Sequence, residues 1–199
     1  MWIDPKHYKH IETLKQSLLP ALETDYQYFK RKHDIERVGV NVFRFEYPNA
    51  EHEHADDWYA MALFQGGQPV PPTKNVFHHA TACLKEIPGI FQSIVNFIRP
   101  NGGLPLHHDF GSWQRIEESL GHKVKGYTIA IGIDMPSNDP NICGMEFEKD
   151  NYPRTYGNKE IVAFNGRDYM HKVWNKTNNW RVSCVIDTDI NQWNSFTSN

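Results

Sequence analysis

An all-β core with a helical cover is the fold class this sequence predicts, and three observations carry it. Short segments of alternating or continuous apolar residues recur through the second half, clusters of Gly, Pro, Asn and Asp separate them, and a three-to-four apolar period runs near the N-terminus. From Pro5 to about His33, Ile11, Leu14, Leu18, Leu19 and Leu22 predict helical segments with a break or kink at Pro20, where a backbone donor is lost. Val38 to Glu46 alternates with a period of two and reads as a strand, as does Trp58 to Phe64. Gly66 to Pro72 punctuates the chain before a short helix from about Lys74 to Glu86. Strands are then expected at Phe91–Ile98, Leu104–Asp109, Lys125–Asp134, Gly144–Glu148, Ile161–Asn165, Tyr169–Trp174 and Trp180–Asp187. Strands this short and evenly spaced suit a sandwich or barrel, with a jelly roll as the natural eight-strand solution, and not a parallel βαβ sheet.

The chain has 199 residues, which predicts a single domain, residues 1–199, with a helical cover over 1–35 and a β core over 36–190. Hydrophobic residues at 39% and aromatics at 13% offset the entropy of ordering, which excludes a disordered or fibrous class. A formal charge of −3 with no Lys/Arg block excludes a general nucleic-acid binder. The longest clean apolar stretches, such as Ile129 to Ile133, fall far short of a membrane span, and the Met1 end carries no apolar signal core. A soluble, cytoplasmic protein with no membrane partner is expected. Cys83, Cys143 and Cys184 are widely spaced and form no CxxC pattern, which fits a reducing compartment. Histidine is the unusual count, 11 in all, and imidazole is the commonest biological metal ligand.

Leu104-Pro-Leu-His-His-Asp109 places His107 and Asp109 two residues apart. On a strand, such residues share a face, so an imidazole and a carboxylate converge. A further imidazole from another strand would complete the facial triad of two histidines and a carboxylate that leaves open positions on Fe(II) for a co-substrate and O2. His54-Ala-Asp56 has the same short pattern, but only His107 and Asp109 follow an apolar strand and a Gly-rich turn. His171, within Tyr169 to Trp174, supplies the third ligand, and Arg181 stands ten residues beyond it. A guanidinium there suits the distal carboxylate of 2-oxoglutarate, because its planar fork matches a carboxylate better than an ammonium does. Ser183, on the same strand face as Arg181, would add a donor.

These residues stand in blocks that resemble the aspartyl/asparaginyl β-hydroxylase family of Fe(II)/2-oxoglutarate dioxygenases from about Trp58 to Asp187. The blocks run Asp57-Trp58, Glu86 to Ile90, Arg99 to His107, Tyr127 to Ile133, Ile161 to Asn165, and His171-Lys-Val-Trp-Asn-Lys-Thr177 followed by Arg181 and Val185-Ile-Asp187. The resemblance implies a double-stranded β-helix, a cupin-like jelly roll. It implies iron held by His107, Asp109 and His171, and 2-oxoglutarate anchored by Arg181. It also implies a polar co-substrate contact from Asn96 and a pocket-lining role for Trp58. Many members carry Arg-x-His on the strand after the first ligands, where this chain has Thr128 and Ala130, so the substrate side departs from the family pattern. The implied reaction is hydroxylation of an unactivated C–H on an amino-acid-like substrate, in a polypeptide or a free small molecule, with release of succinate and CO2. A carboxylate kept at position 109 favours hydroxylation over halogenation.

A cupin-like module that holds a metal or small ligand without oxidising anything is the alternative from a different class, and an oxygen sensor would share the chemistry. Other features have plainer readings. Glu51 to His54 lacks the His-x-x-x-His spacing of a helical zinc site and sits beside Pro48-Asn49 in an apparent loop. His78 and His79 read as a surface or partly buried helix face, Trp174 and Trp180 as packing residues, and Cys184 as facing away from Ser183.

Overall fold

In the computed structural model the described residues are 8–32, 58–71, 73–150, 153–189 and 192. The strand expected at Val38–Glu46 and the Glu51–His54 motif lie outside them. The elements are α1 (Tyr8–Lys32), β1 (Trp58–Gln65), β2 (Gln68–Pro69), α2 (His78–Glu86), β3 (Ile90–Ile98), β4 (Gly102–His107), α3 (Phe110–Leu120), β5 (Gly126–Asp134), β6 (Cys143–Phe147), β7 (Ile161–Phe164), β8 (His171–Asn175) and β9 (Arg181–Asp189). They build a six-stranded sheet in the order β2-β1-β3-β9-β5-β7 and a three-stranded sheet in the order β4-β8-β6, with antiparallel pairing throughout. This is the predicted all-β core with helical cover, in the double-stranded β-helix arrangement.

The alternation along β9 explains how one sheet serves two purposes. Val182, Cys184 and Ile186 are buried in the cluster that also holds Ile11, Leu14, Leu18 and Leu22 of α1 and Ala80 and Leu84 of α2. Arg181, Ser183, Val185 and Asp187, one residue out of phase, line the cavity between the sheets. The same phase runs through β5, where Ile129, Ile131 and Ile133 join the helix-side cluster while Thr128 and Ala130 line the cavity. A slip of one residue on β9 would bury four cavity-facing residues under the helices, so register and site are specified together.

Two expectations change here. The break at Pro20 is absent, and α1 continues through it for 25 residues. Pro20 and Gln16 both lie on the exposed side, where water can take the carbonyl whose partner is lost. On the other side Leu14, Leu18, Leu22, Tyr26 and Phe29 are buried. Each gains about 1.5–3 kcal/mol from burial, which together outweighs the roughly 3 kcal/mol cost of an interior proline. The short helix starts at His78, four residues later than Lys74, after turns in which Val76 and Phe77 donate to the Thr73 carbonyl.

Between β4 and β5 the sequence reading assigned no element, and α3 fills the gap. It ends on Gly121, whose left-handed φ of 72° favours glycine. On α3, Glu117 accepts bonds from Lys123 Nζ at 2.6 Å, the Val124 N–H at 3.2 Å, and Arg167 Nη1 and Nη2 at 2.6 and 3.1 Å. Burial alone would raise its carboxyl, but these donors prevail and hold it at about 2, below the ordinary 4.5. The folded value is the depressed one, so the stabilisation is complete above pH 4.5 and is lost as pH falls toward 2. Replacing Glu117 by Gln is expected to destabilise the protein by about 3 kcal/mol at neutral pH, by removing the buried carboxylate that pairs with Arg167 and leaving only the exposed Asp168 at 3.6 Å as its counter-charge. Circular dichroism should also show a weaker dependence of stability on pH in that acid window than in the parent.

Candidate active site

His107 ends β4 and His171 begins β8, and the two stand directly opposite each other across the ladder. Their ring centroids are 4.3 Å apart. His107 Nδ1 lies 2.8 Å from the Pro105 carbonyl and His171 Nδ1 lies 3.2 Å from the Tyr169 carbonyl. A carbonyl only accepts, so each Nδ1 carries the proton and donates, and each Nε2 presents its lone pair. Those Nε2 atoms face Asp109, at 3.8 Å from Oδ1 for His107 and 4.0 Å from Oδ2 for His171. Burial is the main cause that pushes the His171 imidazole below its ordinary value, Asp109 opposing and His107 reinforcing it. His171 is therefore neutral near pH 7, the form that binds metals.

Asp109 reaches the histidines by a route the sequence reading did not foresee. The strand expected to run to Asp109 stops at His107, and Asp109 is the N-cap residue of α3. Its carbonyl accepts from the Trp113 N–H at 3.2 Å, but its carboxylate makes no capping bond. The helix thereby forgoes about 1 kcal/mol that a capping Asp supplies, and the carboxylate is turned to the imidazoles instead. One donor atom from each of His107, Asp109 and His171 lies within 4.8 Å of the others.

Gly166, in the turn between β7 and β8, fixes this placement. Its carbonyl accepts the Asp109 N–H at 2.9 Å, and a Cβ on it would drive into Asp109 Oδ2 and Thr128 Oγ1. Gly166→Ala is expected to weaken Fe(II) or Co(II) binding at least about tenfold by displacing Asp109, with the far-ultraviolet dichroism unchanged. A metal titration of the variant checks it.

Deeper between the sheets, Arg181 is 2% exposed. Its Nη2 donates to Tyr156 Oη at 2.8 Å, and the guanidinium lies 5.2 Å from the Tyr156 ring centroid. Its Nε and the hydroxyl of Ser183 are buried with no hydrogen-bond partner. Among the described residues no carboxylate ion-pairs with Arg181. A buried cation with an unmet donor of its own, beside an unmet hydroxyl, is costly unless an anion joins them, and both residues line the cavity. Asn96 pairs with Ser183 across β3 and β9, and its Oδ1 accepts from Trp58 Nε1 at 2.9 Å. β8 and β9 lie in different sheets, so the short connection between them is a crossing that sets His171 and Arg181 on facing walls.

At the opposite end, Thr128 Oγ1 donates to Asp187 Oδ1 at 3.0 Å and lies 3.5 Å from Asp109 Oδ2. Burial first, and then the neighbouring Asp109, push the Asp187 carboxyl well above the usual carboxylate range, against the Thr128 bond. Ala130 lines the wall beside Thr128. Every sequence-derived site residue, namely His107, Asp109, His171, Arg181, Ser183, Asn96, Trp58 and Thr128, borders this one cavity. The sequence reading missed Tyr156, Gln92 and the cavity role of Asp187. Asp187 was legible, because it continues the alternate-residue series of Arg181 and Ser183. Tyr156 was not, because it lies in an irregular connection with no periodicity.

A family model described as aspartyl/asparaginyl beta-hydroxylase matches residues 23–190. No curated protein matches the chain. Among solved structures, a prolyl hydroxylase from Trichoplax adhaerens, in complex with a hypoxia inducible factor oxygen degradation domain peptide fragment, is similar over 99% of this chain and 98% of that one, at 11% identity and a TM-score of 0.54. An oxidoreductase of the 2OG-Fe(II) oxygenase family from Burkholderia pseudomallei is similar over 78% of this chain and 76% of that one, at 11% identity and a TM-score of 0.44. At such identities the likeness is one of fold.

Proposed function

We propose that this chain, which belongs to the aspartyl/asparaginyl β-hydroxylase family, hydroxylates an unactivated C–H of an amino-acid-like substrate, using Fe(II), O2 and 2-oxoglutarate. Family and fold support a 2-oxoglutarate–Fe(II) oxygenase-type hydroxylase, and the finer reading rests on the cavity. The observation that carries it is the convergence of two Nε2 lone pairs and one carboxylate within 4.8 Å, above a buried guanidinium and hydroxyl with unmet donors. Nitrogen and oxygen donors in that ratio suit ferrous iron, and the unmet donors suit a carboxylate.

In this reading His107, Asp109 and His171 hold the iron, and Arg181 with Ser183 holds the distal carboxylate of 2-oxoglutarate. With both in place, O2 would supply the oxidising power: 2-oxoglutarate would give up two electrons and leave as succinate and CO2, with one oxygen atom of O2 in the succinate and the other in the substrate's new hydroxyl. The chain's own groups do the positioning. The Pro105 and Tyr169 carbonyls fix both imidazole tautomers. Tyr156 orients the guanidinium, and Asn96, held by Trp58, presents its amide on the same wall. Ile94, Ile98, Met145, Phe164, Val173 and Val185 keep the remaining wall apolar, which limits water near the reacting atoms. The substrate meets the Thr128 end, where the cavity wall carries Thr128 and Asp187, and Trp58 lines the opposite end. The substrate is a residue of a polypeptide or a free small molecule.

The test is succinate formation from 2-oxoglutarate by iron-loaded protein, with pools of free amino acids and of peptides. Succinate that depends on Fe(II) and O2 and rises with one pool supports the reading and names the substrate class. Iron bound at one equivalent with no succinate above background from any pool, including no uncoupled turnover, would favour a metal-binding module instead.

A further inference from the structure

Among the described residues a second set of metal-ligand atoms lies outside the cavity, where α1 meets α2 on the outer layer. Asp25 of α1 is 1% exposed. Its Oδ2 accepts the Ala80 N–H at 2.8 Å, and its Oδ1 lies 2.7 Å from His79 Nδ1 and 3.6 Å from His78 Nδ1. One donor atom from each of the three residues lies within 4.8 Å of the others.

Three features of this cluster ask for an ion. Side chains of consecutive helical residues diverge by about 100°, and neighbours in sequence do not normally share a target. Here both imidazoles turn to one carboxylate oxygen, with ring centroids 3.7 Å apart. Hydrogen bonding accounts for His79 but not for His78, whose 3.6 Å separation is too long for a bond. Finally, no lysine or arginine among the described residues pairs with this buried carboxylate, so its charge rests on the imidazoles and the Ala80 N–H.

We propose that Asp25, His78 and His79 form a divalent transition-metal site of the zinc class that staples α1 to α2. Two imidazole nitrogens and a carboxylate oxygen, the same donors as in the cavity, suit divalent transition metals such as iron, zinc, nickel or copper and do not suit calcium or magnesium; redox-inert zinc is the class a structural staple calls for. The Ala80 N–H holds the second carboxylate oxygen, as an outer-shell donor does around a metal ligand. The histidine side chains are 62% and 51% exposed, which leaves the remaining coordination positions to water. This site and the cavity lie on opposite faces of the six-stranded sheet, because α1 and α2 pack on the face turned away from Arg181 and Asp187. It therefore stands independently of the hydroxylase reading. The ion would join residues 54 positions apart in the chain and stabilise the helical layer by closing that loop.

The experiment is a calorimetric titration of the full chain with Zn(II) alone, in the His107→Ala/His171→Ala background that removes the candidate iron ligands. One equivalent should bind and raise the melting temperature, and adding His79→Gln should weaken that affinity by about 100-fold or more. Glutamine keeps a donor toward Asp25, so a purely structural hydrogen bond would survive the change. Should the triple variant fold poorly, His79→Gln alone in the parent chain must lower Co(II) binding from two equivalents to one while succinate formation persists. Zn(II) affinity unchanged by His79→Gln, or no Zn(II) bound in the background variant, overturns the proposal.

Discussion

His171→Ala is expected to abolish Fe(II) binding at the cavity and to cut 2-oxoglutarate turnover at least about a thousandfold, the scale seen when one member of a cooperating set is removed. The size of the effect follows from what His171 contributes at once. It supplies one of three donors, it faces His107 across the ladder, and its ring packs on Phe147 and Phe164 at 5.7 and 5.4 Å between centroids. Deleting the ring also leaves a void of the kind that costs about 2–5 kcal/mol. His108→Ala is the matched control, since His108 is exposed and lies between two candidate ligands in sequence. Equilibrium dialysis with Fe(II) should give no cavity metal for the first variant and parental stoichiometry for the second. Iron retained in full by His171→Ala would remove His171 from the ligand set.

The parts of this arrangement that could be read in advance are those governed by a short period. On β9, alternate residues announce which side chains share a wall, and Arg181, Ser183 and Asp187 do share one. The block from Arg99 to His107 carried a turn, a strand and a candidate ligand in the order in which the fold has them. What resisted reading depended on competition at longer range. Pro20 signals a break locally, but the five large side chains around it are buried against the sheet and their sum prevails. Asp109 looked like the end of a strand because its two-residue offset from His107 fits one, yet the same offset is met by a strand end followed by a helix cap. The passage from β8 to β9 is short enough for a hairpin, and only the pairing of β9 with β3 and β5 sends it to the other sheet. The family-like blocks survived these local errors because they depend on chain order, which the fold preserves.

Arg181→Ala should spare iron and raise the 2-oxoglutarate concentration needed for half-maximal turnover by about 100-fold. Charge-assisted hydrogen bonds contribute about 1.5–3 kcal/mol, and each 1.4 kcal/mol is a factor of ten. The prediction separates the two ends of the cavity, since the guanidinium bonds to Tyr156, and among the described residues no hydrogen bond joins it to Asp109, His107 or His171. Arg181→Lys should fall between, because an ammonium keeps the charge and loses the planar fork. A 2-oxo acid of the same length without the distal carboxylate sharpens the measurement. Parent and Arg181→Ala proteins should bind that monoacid equally weakly, so the loss from the residue and the loss from the carboxylate are one interaction counted twice. Equal 2-oxoglutarate requirements in parent and Arg181→Ala would instead mean that the buried guanidinium serves Tyr156 and the sheet alone, and that the co-substrate's far end is held elsewhere.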